Sequence, residues 1–318
     1  MTGRITSKFN NRSTALDVVR GLDLRGSHAI VTGGASGLGL ETSRALAATG
    51  IDLTLAVRNR EQGDAAARRL RDETGNPKVR VAALDLADLA SVQRFADAWY
   101  DAPLHILVNN AAIMACPLTR TAQGWEAQFA TNHLGHFALT TALMPALLKG
   151  APSRVVTLSS SGHKISGVEF DDIHFEHREY DKWKAYGQAK SANALMSLGL
   201  HLRHGDDGIT ANAVHPGGIM TGLQKFLPIE EMRALGWLKP DDTPLDLFKT
   251  PAQGAATSVW AATAAELQGH GGLYLEDCAQ SVPAEPTQRA FGYSPHIMDR
   301  DGALRLWQMS EAMLAQAR

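Results

Sequence analysis

The feature that most constrains this chain is an alternation beginning near Ser27, in which short β-branched runs give way again and again to longer stretches with helical apolar spacing. The expected strands are 29–32 in HAIVTG, 53–57 in DLTLAV, 79–84 in KVRVAAL, 106–109 in HILVNN, 155–159 in RVVTLS, 210–214 in ITANAV and 273–276 in GGLYLE. Helical patterns fall between them, among them LGLETSRALAAT, ADLASVQRFADAW and GWEAQFATNHLGHFALTTALMPALL. Parallel strands need crossovers, and right-handed crossovers put helices on both faces of a sheet. The reading is α/β: a doubly wound parallel sheet of about seven strands.

No repeat, Pro-rich linker or low-complexity tract divides the 318 residues, and 44% hydrophobic content suffices for one large core. We expect a single domain over 1–318, with a core at about 24–278 and extensions at 1–23 and 279–318. The stretch 217–250 is long for a connection and reads as a lid. Basic and acidic residues nearly balance, 31 against 33, so nucleic acid is not an expected partner. Two distant cysteines, Cys116 and Cys278, point to a reduced, cytoplasmic setting. No run of eighteen apolar residues is present, and no membrane anchor is expected.

Directly after the first strand comes TGGASGLG, with Gly33, Gly37 and Gly39 at the head of a helix. Glycines there permit a tight turn and let backbone N–H groups approach a pyrophosphate, which the helix N-terminus then favours. This makes the expected fold Rossmann-type. At the end of the second strand, where NAD enzymes carry an acidic residue for the ribose, this chain has Arg58 and Asn59. An arginine fork suits the 2'-phosphate of NADP, so NADP(H) is expected over NAD(H), against the plainer reading of a solvated surface arginine. Asp85, ending the third strand, is read as an adenine contact and as a cap for a helix starting near Ala87, two roles that are compatible.

The stretch EYDKWKAYGQAKS contains Tyr-x-x-x-Lys twice, as Tyr180 with Lys184 and as Tyr186 with Lys190. On a helix this spacing brings an ammonium beside a phenol. The second copy opens a run of small and apolar residues suited to close packing on a sheet, whereas the first lies in a charged approach segment.

Together these features resemble the short-chain dehydrogenase/reductase family, through TGGASGLG, NNAA at 109–112 and a Ser, a Tyr and a Lys in order. Within it, AVRNRE, ATNHLGHFALT, RVVTLSSSGH, AYGQAKSANAL, VHPGGIMT and LYLEDC are most similar to the retinol dehydrogenase and WW-domain oxidoreductase branch. The resemblance implies hydride exchange between NADP(H) and an alcohol or carbonyl compound. It assigns Tyr186 as acid, Lys190 as its cationic aid and ribose partner, Ser160 as the group holding the substrate oxygen, and Asn132 as the holder of a water leading to the lysine. Ser36, Leu38, Leu86, Asn110, Ala111 and Pro216 become cofactor contacts, with Ile219 near the carboxamide and Thr221 near phosphate. It also implies self-association as a dimer or tetramer through the long helices. Thr157 and Ala112 stand where many relatives have Asn and Gly.

Met114, Met220, Leu223, Phe226 and Trp237 are expected to wall the substrate site, favouring an apolar or bulky small molecule. His163 is a candidate for the same pocket. Histidine pairs such as His174 with His177 lack further ligands at suitable spacing, so no metal is expected. The alternative function is a non-catalytic NADP-binding regulator of the same fold, against which the retained Tyr186 argues.

Overall fold

Seven strands form where the β-branched runs lie: β1 (His28–Thr32), β2 (Asp52–Val57), β3 (Val79–Ala83), β4 (Ile106–Asn109), β5 (Ser153–Leu158), β6 (Ile209–His215) and β7 (Tyr274–Glu276). They come from a computed structural model describing residues 3–99, 101–285 and 291–317. An eighth, β8 (Ala279–Gln280), pairs antiparallel with β7 across a turn in which Asp277 and Cys278 both have positive φ, 49° and 56°. Two residues give no readable periodicity, and Asp-Cys lacks the glycine that marks such turns. The sheet order is β3-β2-β1-β4-β5-β6-β7-β8, parallel up to β7.

Both faces of the central strands are apolar, as a doubly covered sheet requires. Ala29 and Val31 of β1 join one core with Leu46, Leu70 and Trp260, while Ile30 joins the other with Phe129, Phe137, Leu195 and Trp307. β4 repeats the division, with Ile106 and Val108 on the first side and Leu107 on the second.

The stretch 124–148, with one continuous helical pattern, folds as pieces: Ala127–Phe129, a π-helical turn Ala130–Leu134, then Gly135–Ala142 and Met144–Lys149. The chain passes so close to β3's exit loop at Gly135 that a Cβ there would lie 2.2 Å from the Leu86 carbonyl oxygen. Helix Lys182–His204 is buried without interruption from Ala185 to Leu200. It lies beneath helix Arg300–Gln316, whose Trp307 and Ala303 close on Gly199. The C-terminal extension thus covers the outer face of a long helix through which self-association was expected. The N-terminal extension is likewise packed: Ala15, Val18 and Val19 belong to the first core, and Thr6 bridges Ala279.

Candidate active site

The winding reverses between β1 and β4, which are neighbours in the sheet although β2 and β3 intervene in the chain. Ligands of open α/β sheets bind at the carboxyl ends of strands beside such a reversal. The segments leaving β1, β4, β5 and β6 carry most of the residues singled out in the sequence.

After β1, Gly33 and Gly37 have φ of 64° and 51°, and a Cβ on Gly39 would stand 2.2 Å from the Gly33 carbonyl oxygen. Only glycine allows that turn. Ser36 is the N-cap of helix Gly37–Ala48, yet its side chain makes no capping bond, which leaves the first N–H groups of that helix available to an anion. Thr221 comes close to this turn, its Cβ being 3.5 Å from the Cβ position of Gly37. Its hydroxyl also accepts from Leu223 N at 3.2 Å, capping a short turn. Leu38 and Ile219 pack together on Gly254, and Pro216 is buried just after β6.

Arg58 is exposed at the end of β2 and makes no ion pair or side-chain hydrogen bond among the described residues. Asn59 has a structural task, since its Oδ1 accepts from Gln62 N at 3.0 Å and caps helix Arg60–Thr74. Asp85 accepts from Ala87 N at 3.0 Å, but no helix starts there. The cap belongs to Asp88, which bonds Ala90 N ahead of helix Leu89–Asp97, because the chain makes one more turn before it coils. Leu86 is buried against Gly135.

After β4, Asn110 N and Ala111 N both donate to Thr32 Oγ1, at 2.8 and 3.0 Å, and Asn110 Nδ2 donates to Thr32 O. With its lone pairs filled, the Thr32 hydroxyl directs its proton to His136 Nε2 at 2.9 Å in preference to Val108 O at 3.4 Å. His136 therefore carries its own proton on Nδ1 and donates it to the Asn132 carbonyl, also at 2.9 Å. Burial holds this imidazole neutral, with its pKa pushed down to about 4. Thr32 and His136 were not among the residues chosen from sequence. The only available signal was a threonine closing an apolar strand.

Asn132 lies in the π-helical turn, and its amide both accepts from Ile113 N and donates to Ile113 O, each at 2.9 Å. Ser160 follows β5, its Oγ accepting from Gly162 N at 3.1 Å and lying beside Tyr186, since a Cβ on Gly162 would stand 2.9 Å from the Tyr186 ring and 3.4 Å from the Ser160 Oγ. Ser159 instead donates to Lys190 O. Tyr186 and Lys190 are one turn apart on the buried helix, with Lys190 Nζ 5.7 Å from the Tyr186 ring centre and donating to Leu158 O at 3.0 Å. Burial raises the phenol to about 12 against the lowering effect of Ser160, and pushes Lys190 down to about 7. The expected easing of phenolate formation by Lys190 is thus outweighed by burial, and Tyr186 keeps its proton at neutral pH.

Tyr180 has no such setting. It precedes Asp181, the N-cap of the helix, so it shares no helical face with the exposed Lys184. Its hydroxyl donates to Cys116 O at 2.9 Å.

Met114, Ala115, Tyr186 and Leu227 form one apolar cluster, joined by Trp183, Leu223, Met232 and Trp237. Phe226 is 39% exposed, and Met220 lines a separate cavity with Arg12 and Phe248. Leu227, Met232 and Trp183 take the places expected of those two. The 217–250 stretch is tied down where Glu231 accepts from Lys182 Nζ and Trp183 Nε1, at 2.6 and 3.0 Å. His163 does not line a pocket: it is fully buried, donating to Ser160 O and accepting from Ser294 N at 3.1 Å. Among the described residues, no three His, Cys, Asp or Glu side chains are grouped to hold a metal, and no helix is long and apolar enough to cross a membrane.

A doubly wound sheet with a glycine turn at its first crossover, and a buried Tyr–Lys pair at the same edge, is an arrangement suited to holding a dinucleotide beside a proton donor. Residues 27–231 match the family model described as short chain dehydrogenase, and the chain belongs to that family. It is 46% identical over 302 residues to "Probable oxidoreductase" of Streptomyces antibioticus, covering 93% of this chain and all of that one. To "WW domain-containing oxidoreductase" of Pongo abelii it is 35% identical, covering 97% of this chain and 73% of the relative. A solved structure from Mycobacterium Paratuberculosis superposes with a TM-score of 0.74 at 32% identity, covering 96% and 98% of the two chains. A short chain dehydrogenase of Escherichia coli solved with NADPH shares the fold at a TM-score of 0.61 and 25% identity, over 80% of this chain and 97% of that one.

Proposed function

We propose that this oxidoreductase interconverts an alcohol and a carbonyl compound of apolar or bulky character, using NADP(H), with Tyr186 as the proton donor and acceptor. The observation that carries this reading is the Ser160–Tyr186–Lys190 grouping at the carboxyl edge of the sheet, bordered by an apolar cluster.

The residues suit a nicotinamide dinucleotide phosphate. The uncapped helix start at Ser36 and the cradle at Gly33 and Gly39 that a Cβ would fill suit the central pyrophosphate, and Arg58, unpaired among the described residues, suits the 2'-phosphate on the adenosine ribose. When bound, the cofactor supplies or takes the hydride at the substrate carbon. Ser160 Oγ and the Tyr186 hydroxyl, whose residues both lie against Gly162, would converge on the substrate oxygen and hold it for proton transfer. Phenol burial favours the protonated donor, and Lys190, when it carries its proton, would favour the phenolate left after the proton moves.

The test is a panel of ketones, aldehydes and alcohols, from small to bulky, run with NADPH and NADH in parallel. NADPH-dependent reduction of the apolar members is expected. No turnover of any member with either cofactor overturns the reading.

A further inference from the structure

The turn carrying Met114 is held in an unfavourable backbone conformation by Asn132 and by two side chains, Gln128 and Tyr180, that play no part in the proposed proton transfer. Ala115 has φ of 52°, in the left-handed region that a Cβ disfavours. Such conformations persist where the surroundings over-determine them, and they gather at ligand clamps. Here three side chains do so, through four hydrogen bonds. Asn132 clasps Ile113 through both its amide atoms. Gln128 Oε1 accepts from Ala115 N at 2.8 Å. Tyr180 OH donates to Cys116 O at 2.9 Å.

The last two ties are one unit. Gln128 is fully buried, and its Nε2 donates to both Tyr180 OH, at 3.0 Å, and Lys182 O, at 2.9 Å. Glu126 Oε1 is 3.3 Å from the same phenol oxygen, and the Phe175 ring meets Tyr180 edge to face at 5.1 Å. Met114 itself is the residue left between the anchors, and it packs in one cluster with Tyr186 and Leu227. The first tyrosine of the doubled motif is therefore bound into the wall beside the second.

We propose that Tyr180 and Gln128 are positioning residues that fix Met114 as a specificity wall, selecting carbonyl compounds by the size and shape of the apolar part next to Tyr186. This rests on the function proposed above. Losing the Tyr180 hydroxyl releases one anchor of a strained turn, so Met114 leaves its place and contacts to the substrate weaken in ground and transition states alike.

The experiment is a double-mutant cycle with Tyr180→Phe and Met114→Ala. For bulky apolar substrates, Tyr180→Phe is expected to raise KM about three- to tenfold, the worth of one hydrogen bond, with a much smaller change in kcat. In the Met114→Ala background the same change should have little further effect on KM. An equal effect in both backgrounds, or a uniform loss of kcat, overturns the proposal. A second readout does not depend on turnover: in protein carrying ¹³C-methyl methionine, the Met114 signal should shift in Tyr180→Phe while NADPH binding is unchanged. If the wild type reduces nothing, the functional reading fails on its own and the Met114 signal still decides whether Tyr180 places that side chain. An unmoved signal overturns the placement.

Discussion

The hydroxyl of Thr32 and the Nε2 atom of His136 are 2.9 Å apart in the closed interior, joining the end of β1 to helix Gly135–Ala142. Through this contact the Asn132 carbonyl, the imidazole, the threonine and the N–H groups of Asn110 and Ala111 form one chain of hydrogen bonds. His136→Leu leaves the Asn132 carbonyl and the Thr32 hydroxyl without this partner. A buried polar group deprived of its bond costs about 1–3 kcal/mol, so a loss of about 2–4 kcal/mol is expected. Urea unfolding at pH 7 measures it as a lower midpoint with an unchanged slope. A change below about 0.5 kcal/mol, ordinary for a surface site, would mean that the chain of bonds carries no weight.

Tyr186→Phe removes the proton donor while keeping the ring against Gly162, where a Cβ would come within 2.9 Å of the ring carbon Cε1. Losing a general acid typically costs about a hundred- to ten-thousandfold in rate. The expected outcome is a drop of that size in kcat with NADPH affinity retained, read from steady-state kinetics beside a fluorescence titration. Retained turnover would move the acid role elsewhere.

At Arg58, the exposed guanidinium has no partner to lose among the described residues, so Arg58→Asp isolates its effect on the cofactor. A charged hydrogen bond to phosphate is worth about 1.5–3 kcal/mol, which corresponds to about ten- to a hundredfold in preference for NADPH over NADH. The ratio of kcat/KM with the two cofactors measures it. An unaltered ratio would return Arg58 to the solvated surface.

The central strands were legible because they are apolar on both faces, and the glycine turn because no other residue fits it. The Ser–Tyr–Lys grouping was legible by resemblance, whereas the bonds that position it were not. Thr32 and His136 are 104 positions apart, and Tyr180 reaches Cys116 across 64, so no local pattern reports either pairing. Apolar spacing in 124–148 likewise continues through the π-helical turn, and the close approach of Gly135 to the Leu86 carbonyl just after it is a contact that no local pattern reports. The cap read at Asp85 belongs to Asp88 since both aspartates in LDLAD satisfy the same local rule. Sequence places Tyr180 in a charged approach segment, and only the fold shows what its hydroxyl holds.

Three fully buried histidines set the acid limit of stability. Burial pushes His133 down to about 3, and His136 and His163 to about 4. In the unfolded chain each takes a proton near pH 6.5, whereas in the fold it stays neutral until the pH nears its lowered value. Between about pH 6.5 and 4 the unfolded state binds more protons, so stability must fall as the pH falls through that window. Each ring contributes about 3 kcal/mol when the window is crossed, and typical domains hold only about 5–15 kcal/mol in total. Carboxylates such as Asp17 and Asp172, held below their ordinary 3.8, lose their favourable pairing only under the same window. Urea unfolding at pH 6.5, 5.5 and 4.5 should therefore show steep destabilisation. His133→Gln keeps an amide within reach of Ser310, the partner of the native ring at 2.9 Å, and should reduce the slope by about one proton. A flat profile from pH 6.5 to 4.5 would show that these rings accept protons in the fold as readily as in the unfolded chain.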